Sequence, residues 1–176
     1  MGVTAVFPGT FDPVHFGHID IARRAAAMFD EVIVAVYDRP LKSLTFSPDM
    51  RLGLVREVLA GERGLRVQGY SGLTVEFCRS VGAKVIVRGL RVFSDFEHEF
   101  RMALANHRLA PEIEVCALVT REEHSFLSST TVCEIASLGG DVSSLAPAPV
   151  VSALRRHFQE MGEDDRRAGA LTSLRD

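Results

Sequence analysis

The chain carries no surplus of positive charge. Its 176 residues hold 20 Lys+Arg against 23 Asp+Glu, a net charge of −3, so no general basic surface is on offer to nucleic acid or to anionic lipid. Long apolar runs are missing too. The longest, such as residues 32–36, fall far short of the ~20 residues a membrane-spanning helix needs, and no charged-then-apolar leader opens the sequence. Val6 stands where a myristoylation signal wants Ser or Thr. Cysteine is scarce: Cys78, Cys116 and Cys133 are odd in number, widely spaced and never in a C-x-x-C pair, which argues against a disulfide framework and against structural zinc. Each sits among apolar residues and reads as a small buried hydrophobe. Lysine is scarcer still, with Lys42 and Lys84 the only two among twenty cations, so a lysine in a loop is conspicuous.

What remains is 47% hydrophobic and 24% charged, a globular composition, and 19.3 kDa fits one domain. The expectation is a soluble, cytoplasmic protein. One domain is expected over residues 1–160, and a polar, flexible tail over 161–176, where the chain turns to Gly-Glu-Asp-Asp-Arg-Arg.

Short β-rich runs alternate with longer helical stretches. Strands are expected at 3–7, 31–37, 65–69, 84–88 and 114–119. Helices are expected at 17–29, where Ile19, Ala22, Ala26 and Phe29 recur at helical spacing, and at 48–59, opened by Ser47 as N-cap with Pro48 behind it. Further helices are expected at 75–81 (ended by Gly82), 95–109, 130–138 and 149–160. Such alternation predicts an α/β fold: a doubly wound, five-stranded parallel sheet of Rossmann-like type with helices on both faces. Ligands then sit beyond the carboxyl ends of the strands, and the loops there carry the unusual chemistry.

The loop after the first strand reads Pro-Gly-Thr-Phe-Asp-Pro-Val-His-Phe-Gly-His from Pro8 to His18. Gly9 lets backbone approach a ligand, Thr10 offers a hydroxyl, and His15 and His18 lie three apart at a helix start. Unpaired N–H groups and the positive dipole end suit phosphate there. Gly17 is expected to leave room for a nucleotide, and His18 to donate a hydrogen bond to charge developing on a phosphoryl oxygen. Two histidines at this spacing, with no nearby Cys or third His, argue against a zinc site. G-T-F-D-P followed by H-x-G-H resembles the signature of the nucleotidyltransferase superfamily, whose HxGH corresponds to the HIGH motif of class I aminoacyl-tRNA synthetases. This segment alone does not choose among adenylyltransferases acting on phosphopantetheine or nicotinate mononucleotide and cytidylyltransferases acting on glycerol phosphate.

Other loops narrow the choice. Lys42 follows the second strand as a point charge suited to phosphate. Arg88-Gly89-Leu90-Arg91 follows the fourth strand and places two guanidinium groups about one turn. Asp95 and Glu99, four apart, share a helix face, with Asn106 downstream. Ser125-Phe126-Leu127-Ser128-Ser129-Thr130 supplies hydroxyls and N–H groups at another helix start.

The run RGLRxxxDFExE and the segment SFLSST resemble the bacterial phosphopantetheine adenylyltransferase family, from residue 3 to about 158. The resemblance implies reversible transfer of AMP from ATP to 4′-phosphopantetheine, giving dephospho-coenzyme A and pyrophosphate. It also implies Mg²⁺ carried on the ATP phosphates rather than on protein side chains, a homohexamer, and possible inhibition by coenzyme A as a product-like ligand. Carried over by position, His18, Thr10, Lys42 and Arg91 would be catalytic. Thr10, Phe11, His18, Gly89, Leu90, Arg91 and Glu99 would hold ATP, with His124, Ser125, Phe126, Leu127, Ser128, Ser129 and Thr130. Thr10, Lys42, Thr74 and Arg88 would hold the acceptor.

Departures from the family pattern are His15 for a common Thr, His98 and His124 for aromatic residues, Leu41 and Ser43 flanking Lys42 where a second lysine is frequent, and Thr130 for Ser. His15 alone points toward a nicotinate-nucleotide adenylyltransferase. A non-catalytic nucleotide-binding regulator is the alternative from another class, and the presence of His18, Arg88 and Arg91 speaks against it.

Overall fold

The computed structural model describes residues 2–39 and 44–161, with the backbone alone at Ser94. Five strands, β1 (Thr4–Gly9), β2 (Glu31–Tyr37), β3 (Leu65–Tyr70), β4 (Val85–Leu90) and β5 (Glu114–Val119), form one sheet in the order β3-β2-β1-β4-β5. Every pairing is parallel. The helices are α1 (Phe16–Ala26), α2 (Pro48–Val58), α3 (Thr74–Ser80), α4 (Phe93–Leu109), α5 (Ser129–Ser137) and α6 (Ala148–Glu160). Ser47 caps α2 as expected, its hydroxyl accepting from the Met50 N–H at 3.3 Å with proline next in line.

Alternation along the strands divides the core into two layers. Ala5, Phe7, Val32, Val34, Val36 and Val87 point to one side, against α1, α2, α5 and α6. Val6, Ile33, Ala35 and Ile86 point to the other, against Val75, Phe77 and Cys78 of α3 and Ile113. Both faces of the central strands are covered, which explains why β1 and β2 read as continuous apolar runs rather than alternating ones.

Several expectations are corrected in detail. β1 runs on through Pro8 and Gly9, and β4 through Gly89 and Leu90, so both reach further toward the ligand end than expected. α1 ends at Ala26 rather than Phe29. A 3₁₀ turn at Glu122–His124, absent from the sequence reading, precedes α5. Cys78 alone is fully buried, and burial pushes its thiol up to about 11. Cys116 and Cys133 are half-buried, Cys133 lying with its Sγ 3.3 Å from the Thr45 hydroxyl. The expected tail, Met161 apart, lies outside the described residues. Among the described residues no helix is long and apolar enough to cross a membrane.

Order β3-β2-β1-β4-β5 makes β1/β4 the topological switch point, where a crevice is expected beyond the strand ends. The ladder there stops at Val6↔Ile86, although the strands continue to Gly9 and Leu90. Arg88 crosses the gap, its Nη1 donating to the Pro8 carbonyl at 2.9 Å.

Candidate active site

Two cavities open at this switch point. One, of about 380 Å³, is lined by the loop after β1, the start of α1, the turn after β4, the first turns of α4, and the start of α5. The other, of about 420 Å³, lies between the ends of β2 and β3, the start of α3 and the outer half of α4. They share four residues: Pro8, Gly9, Thr10 and Arg88.

The first cavity gathers most residues expected around ATP: Thr10, Phe11, His18, Gly89, Arg91, Glu99, His124, Ser128, Ser129 and Thr130. Leu90, Ser125, Phe126 and Leu127 do not line it. The Leu90 carbonyl accepts from Thr120 N–H in the strand, Ser125 Oγ donates to the Glu122 carbonyl, and the Phe126 ring faces solvent. Leu127 is buried in the core and reaches the site only through its carbonyl, which accepts from Arg91 Nη1 at 2.8 Å. Two of the expected hydroxyls are committed as well: Ser128 caps α5 by accepting from Thr131 N–H, and Ser129 donates to the Pro13 carbonyl. Those bonds fix the cradle; Thr130 adds a hydroxyl to its wall. Thr74 lies in the second cavity, its hydroxyl 2.9 Å from that of Tyr70. Lys42 lies outside the described residues.

Glycine at 17 has a second reason beside the one expected. A Cβ there would stand 3.1 Å from the His15 ring, so the missing side chain makes room for that imidazole, and Gly17 also lines the first cavity. At Gly9 a Cβ would meet the Phe11 ring at 3.0 Å. Phe11 itself sits at φ 51, a left-handed conformation that costs a phenylalanine energy and is held here by burial of its ring against Phe7 and His18.

His15 and His18 stack with ring centroids 3.7 Å apart. The His15 backbone N–H donates to His18 Nδ1 at 3.2 Å. Burial, then the charges of His15, Arg91 and Arg88, hold the His18 pKa well below 6.5. A neutral imidazole whose Nδ1 accepts a hydrogen bond carries its proton on Nε2. His18 therefore offers the first cavity a neutral N–H donor. His15 is held at about 3 by burial, Arg91 and His124.

Each arginine of the Arg88–Arg91 turn takes one carboxylate of α4. Arg88 Nε and Nη2 donate to both oxygens of Glu99 at 2.7 and 2.6 Å. Arg91 Nε and Nη2 donate to Asp95 at 3.0 and 3.2 Å, and that pairing lowers the Asp95 pKa against the opposing effect of its burial. Glu99 thus lines the first cavity with its carboxylate spent on Arg88. The i, i+4 spacing read from sequence serves to aim two cations.

Sequence reasoning missed the walls of the second cavity: Tyr37, Tyr70, Leu73, Met102 and Leu109. They come from strand ends and from α4, and no motif joins them.

The model of the cytidylyltransferase-like family matches residues 6–135. The phosphopantetheine adenylyltransferase of Roseiflexus castenholzii (strain DSM 13941 / HLO8) is 55% identical over 154 residues, 88% of this chain and 96% of that protein. The chain belongs to the phosphopantetheine adenylyltransferase family. A second member, from Thioalkalivibrio sulfidiphilus (strain HL-EbGR7), is 52% identical over 155 residues, 88% of this chain and 98% of the relative.

Solved structures extend the likeness of fold well beyond the family. A bifunctional NMN adenylyltransferase/ADP ribose pyrophosphatase from Francisella tularensis superposes with a TM-score of 0.69 at 15% identity, over 96% of this chain and 52% of that one. The Plasmodium falciparum nicotinic acid mononucleotide adenylyltransferase gives 0.68 at 11%, over 89% and 96%. At such identities these show the nucleotidyltransferase fold alone. The lean toward nicotinate substrates that His15 suggested finds no support in sequence, where relatives at 46–55% identity carry the phosphopantetheine name.

Proposed function

We propose that this adenylyltransferase moves AMP from ATP to 4′-phosphopantetheine by direct in-line attack of the acceptor phosphate on the α-phosphorus, with no covalent enzyme intermediate. One observation carries the reading: two cavities, one polar and histidine-lined, one walled by tyrosines and aliphatic side chains, meet at Thr10 and Arg88. The first suits a nucleotide triphosphate, and the second a thin, mostly uncharged arm ending in a phosphate. The junction is where the two reacting groups come together.

The acceptor phosphate is already an anion near neutral pH, so no general base is needed. The protein aligns two repelling polyanions and offsets charge growing on the α-phosphoryl and leaving oxygens. His18 Nε2–H, Arg88, Arg91 and Lys42 supply that inventory, with Thr10 beside both ligands. Mg²⁺ fits as a passenger on the phosphates, because Asp95 and Glu99 are each committed to an arginine and so present no open acidic pair for ligation. When bound, it would neutralise phosphate charge.

We also propose a homohexamer, through α4. Phe93, Phe96, Phe100 and Leu104 recur along α4 and are 89%, 50%, 52% and 56% exposed, a stripe that a lone domain rarely leaves open. A Phe96→Glu variant is expected to fall from the mass of six chains to smaller species in light scattering; an unchanged mass overturns this interface. We propose a cytoplasmic location, where ATP is at hand.

The test of function is pyrophosphate release with each acceptor. Phosphopantetheine with ATP and Mg²⁺ is expected to support turnover, nicotinate mononucleotide at least 10²-fold less, and chelation of Mg²⁺ to abolish it. Coenzyme A, which combines the arm and the adenine nucleotide, is expected to compete with phosphopantetheine. ATP binding without acceptor-dependent pyrophosphate would leave a nucleotide-binding regulator as the answer.

A further inference from the structure

Arg51 is the largest fully buried side chain among the described residues, with 0% of its surface exposed, and it touches neither cavity. It lies on the inner face of α2 beside Leu54 and Val55, at a position that a helix of this kind normally gives to an aliphatic residue. No carboxylate is within ion-pair distance of it among the described residues. Its donors go to four backbone carbonyls. Nη1 donates to Thr10 at 2.6 Å and to Tyr37 at 2.7 Å, Nη2 to Asp38 at 3.2 Å, and Nε to Phe46 at 3.3 Å.

Those carbonyls belong to three separate segments: the start of the loop after β1, the end of β2, and the approach to α2. A planar fork with five N–H groups in fixed directions can bridge such a set, and an ammonium cannot hold the same geometry. The neighbouring loop is tied in from the opposite side. The Asp12 carboxylate accepts from the N–H groups of Thr45 and Phe46 at 2.7 and 2.9 Å. Phe46 is thereby held at its N–H by Asp12 and at its carbonyl by Arg51.

The shortest of the four bonds falls on Thr10. That peptide precedes Phe11, the one non-glycine residue among those described with a left-handed backbone, and it sits at the junction of the two cavities. A peptide leading into a left-handed residue needs its carbonyl direction fixed from outside, because the local preference of the chain would turn it elsewhere.

We infer that Arg51 is a positioning residue for adenylyl transfer: from inside the core it fixes the Thr10 peptide, and with it the point where nucleotide and acceptor meet. It acts through Thr10 and touches no substrate. A displacement of about 1 Å at such a point can cost on the order of 10² in rate, whereas the ground-state grip on ATP, spread over the α1, α4 and α5 starts, is left intact. The inference rests on the adenylyl-transfer reading above.

The experiment compares Arg51→Lys and Arg51→Met with Leu54→Ala, a change on the same buried face that only removes packing. Melting temperature, kcat and both KM values are measured well below every melting transition. The expected result is a loss of thermal stability in all three. In the Arg51 variants kcat falls at least 30-fold with KM for ATP within about threefold, while Leu54→Ala keeps kcat within about threefold. Arg51 variants whose kcat follows Leu54→Ala overturn the inference. So does failure of Arg51→Lys to fold, since the guanidinium would then hold up the domain rather than aim one peptide. Wild-type protein without phosphopantetheine-dependent turnover sinks the functional reading instead, and the two failures are told apart by that control.

Discussion

A His18→Ala variant is expected to lose 10²–10³ in kcat while its dissociation constant for ATP stays within a few-fold of the wild type. The magnitude is that of removing one preorganised donor aimed at developing charge. The reason the loss falls on turnover is in the tautomer. The His15 N–H, at 3.2 Å from Nδ1, leaves Nε2 as the only donor of the ring, and a neutral donor gains most when the oxygen it faces gains charge. His18→Gln, which returns an amide N–H to about the Nε2 position, is expected to recover part of the loss, and His18→Phe none. The pH profile provides an independent check. Burial, His15 and the arginines keep the ring neutral as pH falls through 6.5, so the rate shows no acid limb from His18 near that value. A His18→Ala variant turning over within tenfold of wild type, or a limb near 6.5 that vanishes in it, removes the assigned role.

The sheet was legible because its signal is local. β2 and β5 begin and end where their Val-rich runs do, and Ser47-Pro48 announces α2 through chemistry confined to one turn. Errors gathered where backbone conformation depends on distant partners. Pro8 and Gly9 read as loop residues and shorten the expected β1, yet Pro8 lacks only the donor that the edge of the β1/β4 gap does not need. The HxGH and RGLR segments were legible as a site because contiguous residues carry them. Their geometry was not. That Gly17 shelters an imidazole, that Asp95 and Glu99 are aimed at Arg91 and Arg88, and that Arg51 works from the core all depend on contacts that span the fold. Arg51 did leave one trace, a cation on the apolar face of α2. In the second cavity Thr10, Thr74 and Arg88 were legible, whereas Tyr37, Tyr70, Leu73, Met102 and Leu109 left no trace.

Arg88 is where a second large effect is expected. Its guanidinium spends two donors on Glu99 and one on Pro8, and it is one of four residues lining both cavities. In Arg88→Met two things are lost together: the cation we propose to face the acceptor phosphate, and the partner of a carboxylate whose side chain is only 13% exposed. Removing one member of a desolvated charge pair costs 2–5 kcal/mol, much of it from the charge left behind. Here the stranded anion also faces two polyanionic ligands. The kcat/KM for phosphopantetheine is therefore expected to fall 10²–10³-fold and the melting temperature to drop. The double variant Arg88→Met/Glu99→Gln separates the causes. Neutralising Glu99 is expected to restore most of the thermal stability and to recover about tenfold in kcat/KM, leaving the deficit that belongs to acceptor capture. If the double variant regains wild-type kcat/KM, Arg88 serves only to neutralise Glu99, and the junction must capture the acceptor phosphate by other means.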